Sequence, residues 1–398
     1  MHLQIERRPK VVLIAGTRPE VIKLAPLHRA LSHSTTLESV FISTGQHRQM
    51  LDQAFAAFGI RPDEDLNLML PGQDLPGLTA RVIESVSHSL ARIRPSAVLV
   101  QGDTTTALGS ALAAFYARIP IGHVEAGLRT YNLAEPWPEE MNRRLIAPIS
   151  HWCFAPTPWS KSNLLSEGID PTRIHVTGNT VVDALQWMRR KVGGTLRGPE
   201  HISKCGIPAY FSDRYLLGSP GNRPLILVTG HRRESFGMGI DNLCTALLEI
   251  SRSHPEAGIL FPVHLNPKVQ RPVMERLSGC PRIALVNPVG YEEMLWLLEA
   301  CRFVISDSGG IQEEAPSFGK PVLVTRDTTE RPEGVEAGTC RLVGTNVQTI
   351  IREARLLLED EADYQRRSAI ANPYGDGHAA ERIGGIIEEG LREKRAAA

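Results

Sequence analysis

Short unbroken apolar runs alternate along this chain with longer segments in which apolar residues recur every three or four positions. Val11-Val12-Leu13-Ile14 is the first such run. It has no polar alternation, which predicts a strand covered on both faces, as in a parallel sheet. Further strands are predicted at 39–43, 97–101, 119–123, 152–155 and 173–176, with helices at 20–32, 75–93, 105–117 and 139–150 between them. The stretch 193–224 is rich in Gly and Pro, lacks sustained periodicity and reads as a linker or irregular region. A second series follows, with strands at 225–228, 258–262, 282–286, 303–306, 321–324 and 341–343. Its helices are predicted at 240–253, 291–300, 311–318, 347–359 and 378–394. Strands that alternate with helices in this way predict βαβ units, and hence two doubly wound α/β domains. Ligands of such sheets bind beyond the carboxyl ends of the strands.

A length of 398 residues suits two domains of ordinary size. Lys+Arg and Asp+Glu both number 44, so the net charge is zero. That balance argues against a broad polyanion-binding surface and against nucleic acid as a partner. The six cysteines show no CxxC spacing and sit mostly among apolar residues. They read as buried free thiols in a reducing cytoplasm. The charged start MHLQIERRPK does not read as a signal peptide, and no apolar run reaches the roughly 18 residues that would suggest a membrane span.

The candidate chemistry clusters at predicted strand ends. In "AGTRPEVIKLAPL" a strand ends at Gly16-Thr17, and Arg18 and Lys23 follow on one helical turn, a pairing that suits a diphosphate. In "VLVQGDTTTALGSALAAFYARIPIGHVEAGLRT" two strands deliver Asp103 and Glu125 to one edge. Carboxylates held together can have their pKa values driven apart, as acid/base work requires. Asp103 in that place is equally an ordinary helix cap. "EPWPEEMNRRLI" adds Glu139 and Arg143, spaced i, i+4 on one helical face. In the second half, "LVTGHRRESFGMG" delivers His231 and Arg232, and "FPVHLNP" delivers His264. Their spacing does not suit a metal site. "ISDSGGIQEEAPSFGKPVLVTRDTTERPEG" runs from a strand into Ser308-Gly309-Gly310 at a helix start and returns to Arg331. Small residues there let backbone N–H groups approach a phosphate, and Arg331 supplies a fork to clamp it.

Taken in order, "GTRPEVIKLAPL", "TGQHRQML", "GDTTTALGSALAAFY", "GHVEAGLRT", "PWPEEMNRRL", "TGNTVVDAL", "VTGHRRESFG", "PVHLNP", "DSGGIQEEAPSFGKPVLVTRDTTERPE" and "NPYGDGHAAERI" resemble the non-hydrolysing bacterial UDP-N-acetylglucosamine 2-epimerases over nearly the whole chain. The resemblance implies a GT-B-like fold of two Rossmann-like domains with the active site in the cleft between them. Residues 1–180 would form the first domain and 181–372 the UDP-binding second, with 373–398 a helix crossing back to the first. It implies interconversion of UDP-GlcNAc and UDP-ManNAc without a cofactor or metal. UDP would leave by anti elimination to 2-acetamidoglucal and then add back, and the product would feed surface polysaccharides.

By the same resemblance Asp103, Glu125, Glu139 and His231 are the catalytic candidates, with Asp103 the preferred base. Arg18, Lys23, Arg143, Ser308, Gly309, Gly310, Glu314 and Arg331 would bind the nucleotide and sugar. The uracil would lie along "PVGYEEM", beside Val289 and Met294, mostly on backbone atoms. A second UDP-GlcNAc would act as allosteric activator at Gln46, Gln49, Arg81, Glu139, Arg232 and His264. The family implies a homodimer. Rival readings at this stage are a retaining glycosyltransferase of the same fold, a hydrolysing epimerase, a nucleotide-sugar sensor, and a 2-epimerase acting on a related diacetamido UDP-sugar.

Overall fold

The computed structural model describes residues 8–45, 48–70, 72–192, 199–217, 223–230 and 236–396. The chain divides into two units: Met1–Trp187 with Tyr374–Ala398, and Met188–Pro373. Each is a parallel α/β layer structure.

The first unit is built on β1 (Lys10–Ala15), β2 (Glu38–Ser43), β3 (Glu64–Asp65), β4 (Ala97–Gln101), β5 (Ile121–Val124), β6 (Trp152–Ala155) and β7 (Ile174–Val176). They are ordered β3-β2-β1-β4-β5-β6-β7. All pairs are parallel, with Val11 opposite Ser39 on one side and Ala97 on the other. Val11 to Ala15 and Ala97 to Val100 are fully buried, which accounts for their unbroken apolar runs. Strand order reverses between β1 and β4, so the loops leaving those two strands diverge and leave a crevice at their carboxyl ends.

The second unit holds β8 (Leu225–Thr229), β9 (Gly258–Pro262), β10 (Ile283–Val286), β11 (Phe303–Ser306), β12 (Val322–Val324) and β13 (Cys340–Leu342). Their order is β10-β9-β8-β11-β12-β13, again all parallel, with the reversal between β8 and β11. Ile226, Val228, Phe261, Phe303 and Ile305 are completely buried beneath the flanking helices. Both sheets are doubly wound, as the alternation of strands and helices predicts.

Two local expectations differ from the structure. The stretch 193–224 contains two short helices, Pro199–Lys204 and Ala209–Tyr215, rather than an irregular linker alone. Phe211 is fully buried, and the ring of Tyr215 lies where a Cβ on Gly258 would be, 2.6 Å away. Aromatic anchoring to β9, not periodicity, is what orders this segment. The predicted helix 311–318 is an α-helix at Gly309–Glu314 followed by a 3-10 turn at Ala315–Phe318. Pro316 has no N–H to donate to Gln312, so the α-ladder stops there.

The helix Ala379–Ala396 belongs to the first unit. It packs on the helix Arg18–Ser32, and Thr36 Oγ1 donates to Glu388 Oε1 at 2.7 Å. Its first turn is capped by a carboxylate distant in sequence: Asp183 accepts from Ala379 N at 3.2 Å and Ala380 N at 2.9 Å. Burial pushes the Asp183 carboxyl up to about 6.

Candidate active site

In the first unit the site grows from three strand ends. β1 runs through Gly16 into Thr17, the N-cap of the helix Arg18–Ser32. Glu20, in that helix's first turn, folds back on the cap: its Oε2 accepts from Gly16 N (3.0 Å), Thr17 N (2.7 Å) and Thr17 Oγ1 (2.8 Å). Its Oε1 accepts from Thr104 Oγ1 at 2.7 Å. Glu20 is fully buried, and that desolvation pushes its carboxyl up to about 7 against these four hydrogen bonds. Arg18 stands half-buried beside it.

β4 ends at Gln101-Gly102-Asp103, with Gly102 in the left-handed region at φ +68°. Asp103 is held at several points. Arg143 Nη2 donates to its Oδ2 at 2.5 Å, and Asn142 Nδ2 donates to its carbonyl at 2.8 Å. Both donors lie on the helix Glu139–Ile149. The other face of Arg143 is fixed by buried Glu140, 3.3 Å from Nη1, which itself accepts from the backbone N–H groups of Thr130 and Tyr131 at 3.0 Å each. Buried His123 donates from Nε2 to the Gly102 carbonyl at 2.7 Å. Desolvation lowers the His123 pKa to about 4, so the ring is neutral near pH 7 and the proton on Nε2 leaves Nδ1 bare.

β5 delivers Glu125 next to this turn, because Gln101 and Val124 are register partners. Glu125 is a non-glycine residue in the left-handed region, φ +67°, a conformation costing on the order of 1–2 kcal/mol. Its Oε2 accepts from Lys23 Nζ in an ion pair whose side chains are 8% and 7% exposed, and from Gln101 Nε2 at 2.7 Å. Lys23 is thus spoken for by a carboxylate at the site. Glu139 is half-buried at the start of its helix. The unit therefore gathers two carboxylates, each matched with a buried cation, beside the crevice between β1 and β4.

In the second unit β11 runs through buried Asp307 into Ser308, the N-cap residue of the helix Gly309–Glu314. The Ser308 N–H is turned back onto Ser306 Oγ at 2.9 Å, and Ser306 Oγ also pairs with Thr229 Oγ1 at the end of β8, 2.6 Å away. The two strands flanking the second reversal are thereby stitched at their carboxyl ends. Arg331 lies against the helix start, where a Cβ added to Gly309 would meet its Nη1 at 2.5 Å. Its Nε donates to Glu313 Oε1 at 2.6 Å and its Nη1 to Glu330, whose other oxygen accepts from Arg326 Nη1 at 2.8 Å. Arg331 is thus pinned on the turn that the sequence marks for phosphate. Glu314 is buried on the same short helix. Val289 is buried and Met294 half-buried around the start of the helix Tyr291–Ala300, after β10.

The family model described as UDP-N-acetylglucosamine 2-epimerase matches residues 29–388. The chain belongs to this epimerase family. It is 50% identical over 374 residues to the UDP-N-acetylglucosamine 2-epimerase of Escherichia coli K12, covering 94% of this chain and 97% of the relative. A crystal structure of UDP-GlcNAc 2-epimerase from Neisseria meningitidis bound to UDP-GlcNAc superposes with a TM-score of 0.88 at 46% identity, covering 96% and 100% of the two chains. The Methanocaldococcus jannaschii UDP-GlcNAc 2-epimerase, in complex with UDP-GlcNAc and UDP, matches with a TM-score of 0.80 at 33% identity, over 95% and 99%.

Of the activator set expected for an epimerase of this family, Gln46 and Arg232 lie outside the described residues, as does His231; the side chain of Gln49 is likewise not described. Arg81 donates from Nη2 to Gln73 Oε1 at 2.8 Å on the helix Leu75–Ile93. Exposed His264 accepts at Nδ1 from Asn266 N at 3.1 Å. Among the described residues no group of three or more His, Cys, Asp or Glu could hold a metal ion. All six cysteines are free, and no described helix is long and apolar enough to cross a membrane.

Sequence reasoning gave no holding role to Glu20, Asn142, Glu140, Glu313 and Glu330, the residues that keep the expected ones in place. For Glu20 a signal existed: Thr17-Arg18-Pro19-Glu20 has capping-box spacing.

Proposed function

We propose that this chain interconverts UDP-GlcNAc and UDP-ManNAc by inverting C2. Asp103, as base, takes the C2 proton; the C1–O bond to UDP breaks on the opposite face and C1=C2 forms, giving 2-acetamidoglucal. UDP then adds back to C1 while a proton arrives at C2 from the other side. Glu125 and Glu139 are the candidates for that second proton transfer, and His231 is a further catalytic or diphosphate-contacting group. Arg18 helps to neutralise the leaving diphosphate, Lys23 lies near the phosphates, and Arg143 binds the nucleotide sugar. Ser308, Gly309, Gly310 and Arg331 hold the departed diphosphate, Glu314 takes the ribose hydroxyls, and the uracil lies by Val289 and Met294. The observation that carries this reading is the pair of carboxylates at the β4 and β5 ends, each matched with a buried cation, in a chain of this family. Such preorganised charge is what moving a weakly acidic proton requires.

The same reading includes activation by a second UDP-GlcNAc at Gln46, Gln49, Arg81, Glu139, Arg232 and His264, a homodimer, a cytoplasmic setting, and supply of UDP-ManNAc for surface polysaccharide. Proton NMR of UDP-GlcNAc incubated with the protein in deuterium oxide tests the chemistry. Conversion to UDP-ManNAc with deuterium at C2 is expected; conversion that retains the original hydrogen refutes elimination, and transfer only on adding an acceptor sugar favours a glycosyltransferase. UDP-ManNAc turned over at full rate without UDP-GlcNAc rejects the activator.

A further inference from the structure

We infer that Glu20 is a positioning residue that couples the Arg18 loop to the Asp103 turn, joining the two strand ends that part at the first sheet's reversal of order. The inference rests on the functional reading above and adds to it a residue that never touches substrate. Glu20 grips Gly16 and Thr17, immediately before Arg18, with Oε2, and Thr104, immediately after Asp103, with Oε1. Residues 84 apart in sequence are thus joined through one carboxylate. The loop it grips cannot slide: a Cβ on Gly16 would sit 2.2 Å from Thr106 Oγ1 and 2.3 Å from Thr44 Oγ1. On its other sides the Asp103 turn is tethered by His123 at the Gly102 carbonyl, Asn142 at the Asp103 carbonyl and Arg143 at the carboxylate. Those three come from β5 and the helix Glu139–Ile149; Glu20 supplies the tether from the β1 side. Two carboxylate oxygens aimed in opposite directions are needed for this. Gln can keep the bridge, accepting from the two N–H groups and donating its Nε2 to Thr104 Oγ1, whereas Ala cannot.

The test is a double-mutant cycle on the full chain with Glu20→Ala and Thr104→Val, with Glu20→Gln and Thr104→Ser as conservative controls. C2 deuterium incorporation at saturating UDP-GlcNAc gives kcat, and calorimetry gives UDP affinity. Displacing an acid/base group by about an ångström costs up to roughly a hundredfold. Thr104→Val is therefore expected to lower kcat tenfold to a hundredfold, with UDP affinity within threefold of wild type. Glu20→Ala is expected to lose as much, and the double variant no more than Glu20→Ala alone. The Gln and Ser variants should stay within threefold. Multiplicative losses, a Thr104→Val kcat equal to wild type, or a Thr104→Ser loss matching Thr104→Val would overturn the inference. Thr104 Oγ1 also caps the helix Thr105–Tyr116, accepting from Ala107 N at 3.0 Å, and Gly serves at an N-cap about as well as Thr. If Glu20→Ala fails to fold, Thr104→Gly decides, a kcat loss like that of Thr104→Val being expected and a wild-type kcat overturning the inference. A wild-type protein that exchanges no C2 hydrogen overturns the functional reading, and the inference with it. An active wild type with variants outside these bounds overturns the inference by itself.

Discussion

The Lys23–Glu125 pair lends itself to a quantitative test. Both side chains are more than nine-tenths buried. Replacing Lys23 with Met keeps most of the stem volume and leaves the carboxylate buried without that cation. Two unit charges in contact at an effective dielectric near 20 attract by about 4 kcal/mol, and breaking a buried pair from one side costs roughly 3–5 kcal/mol. Lys23→Met should therefore destabilise the first unit by about that much, and Glu125→Gln should do so comparably. The double variant removes both charges and should lie within about 1–2 kcal/mol of wild type, a coupling of about 3 kcal/mol or more. Urea unfolding followed by tryptophan fluorescence is suited to this, because Trp137, Trp152, Trp159 and Trp187 lie in the first unit, with Trp296 in the second. Single losses under about 1 kcal/mol that add in the double variant would refute the argument that this pair is a desolvated charge couple.

Other outcomes can be checked alongside. Asp103→Asn should cut turnover by about a hundredfold to ten-thousandfold while UDP affinity, measured by calorimetry, is unchanged. Gly309→Ala puts a Cβ 2.5 Å from Arg331 Nη1 and should weaken UDP binding about tenfold, and Arg331→Ala should do the same; wild-type affinity in either removes Arg331 from the clamp. Asp183 has a folded pKa of about 6, above its ordinary 3.8, so the folded chain binds the extra proton between those values. Its contribution to stability is present below pH 4 and is lost as pH rises through 6. Asp183→Asn should flatten that slope of Tm against pH, and an unchanged slope would reject the shift.

The strands were readable because burial on both faces leaves unbroken apolar runs; β4 and β9 fall where the pattern put them, at Ala97–Gln101 and Gly258–Pro262. The helix Pro158–Ser166 was not readable, for a physical reason: it exposes Trp159 and Leu165 and buries Ser160 and Asn163. What holds it is polar and close-packed. Thr157 Oγ1 caps Ser160 N at 3.1 Å, Asn163 Nδ2 reaches the Gly127 carbonyl at 2.9 Å, and a Cβ on Gly127 would strike Ser160 O at 2.2 Å. The site shows the same division. That Asp103 and Glu125 stand at strand ends follows from periodicity. That Glu125 pairs with Lys23, or that Arg331 is pinned by Glu313 and Glu330, depends on register and side-chain reach, which no linear pattern encodes.

The helix Ala379–Ala396, capped by Asp183 and laid on Arg18–Ser32, has a bearing on how the polypeptide matures. During synthesis all of Met188–Pro373 emerges before the segment that finishes the earlier unit. The middle of the chain can therefore settle first, while the portion bearing Asp103 and Glu125 waits, one flank bare, for its closing piece. The two units are therefore completed in the reverse of the order in which they begin: the one started first is the last to receive its closing segment.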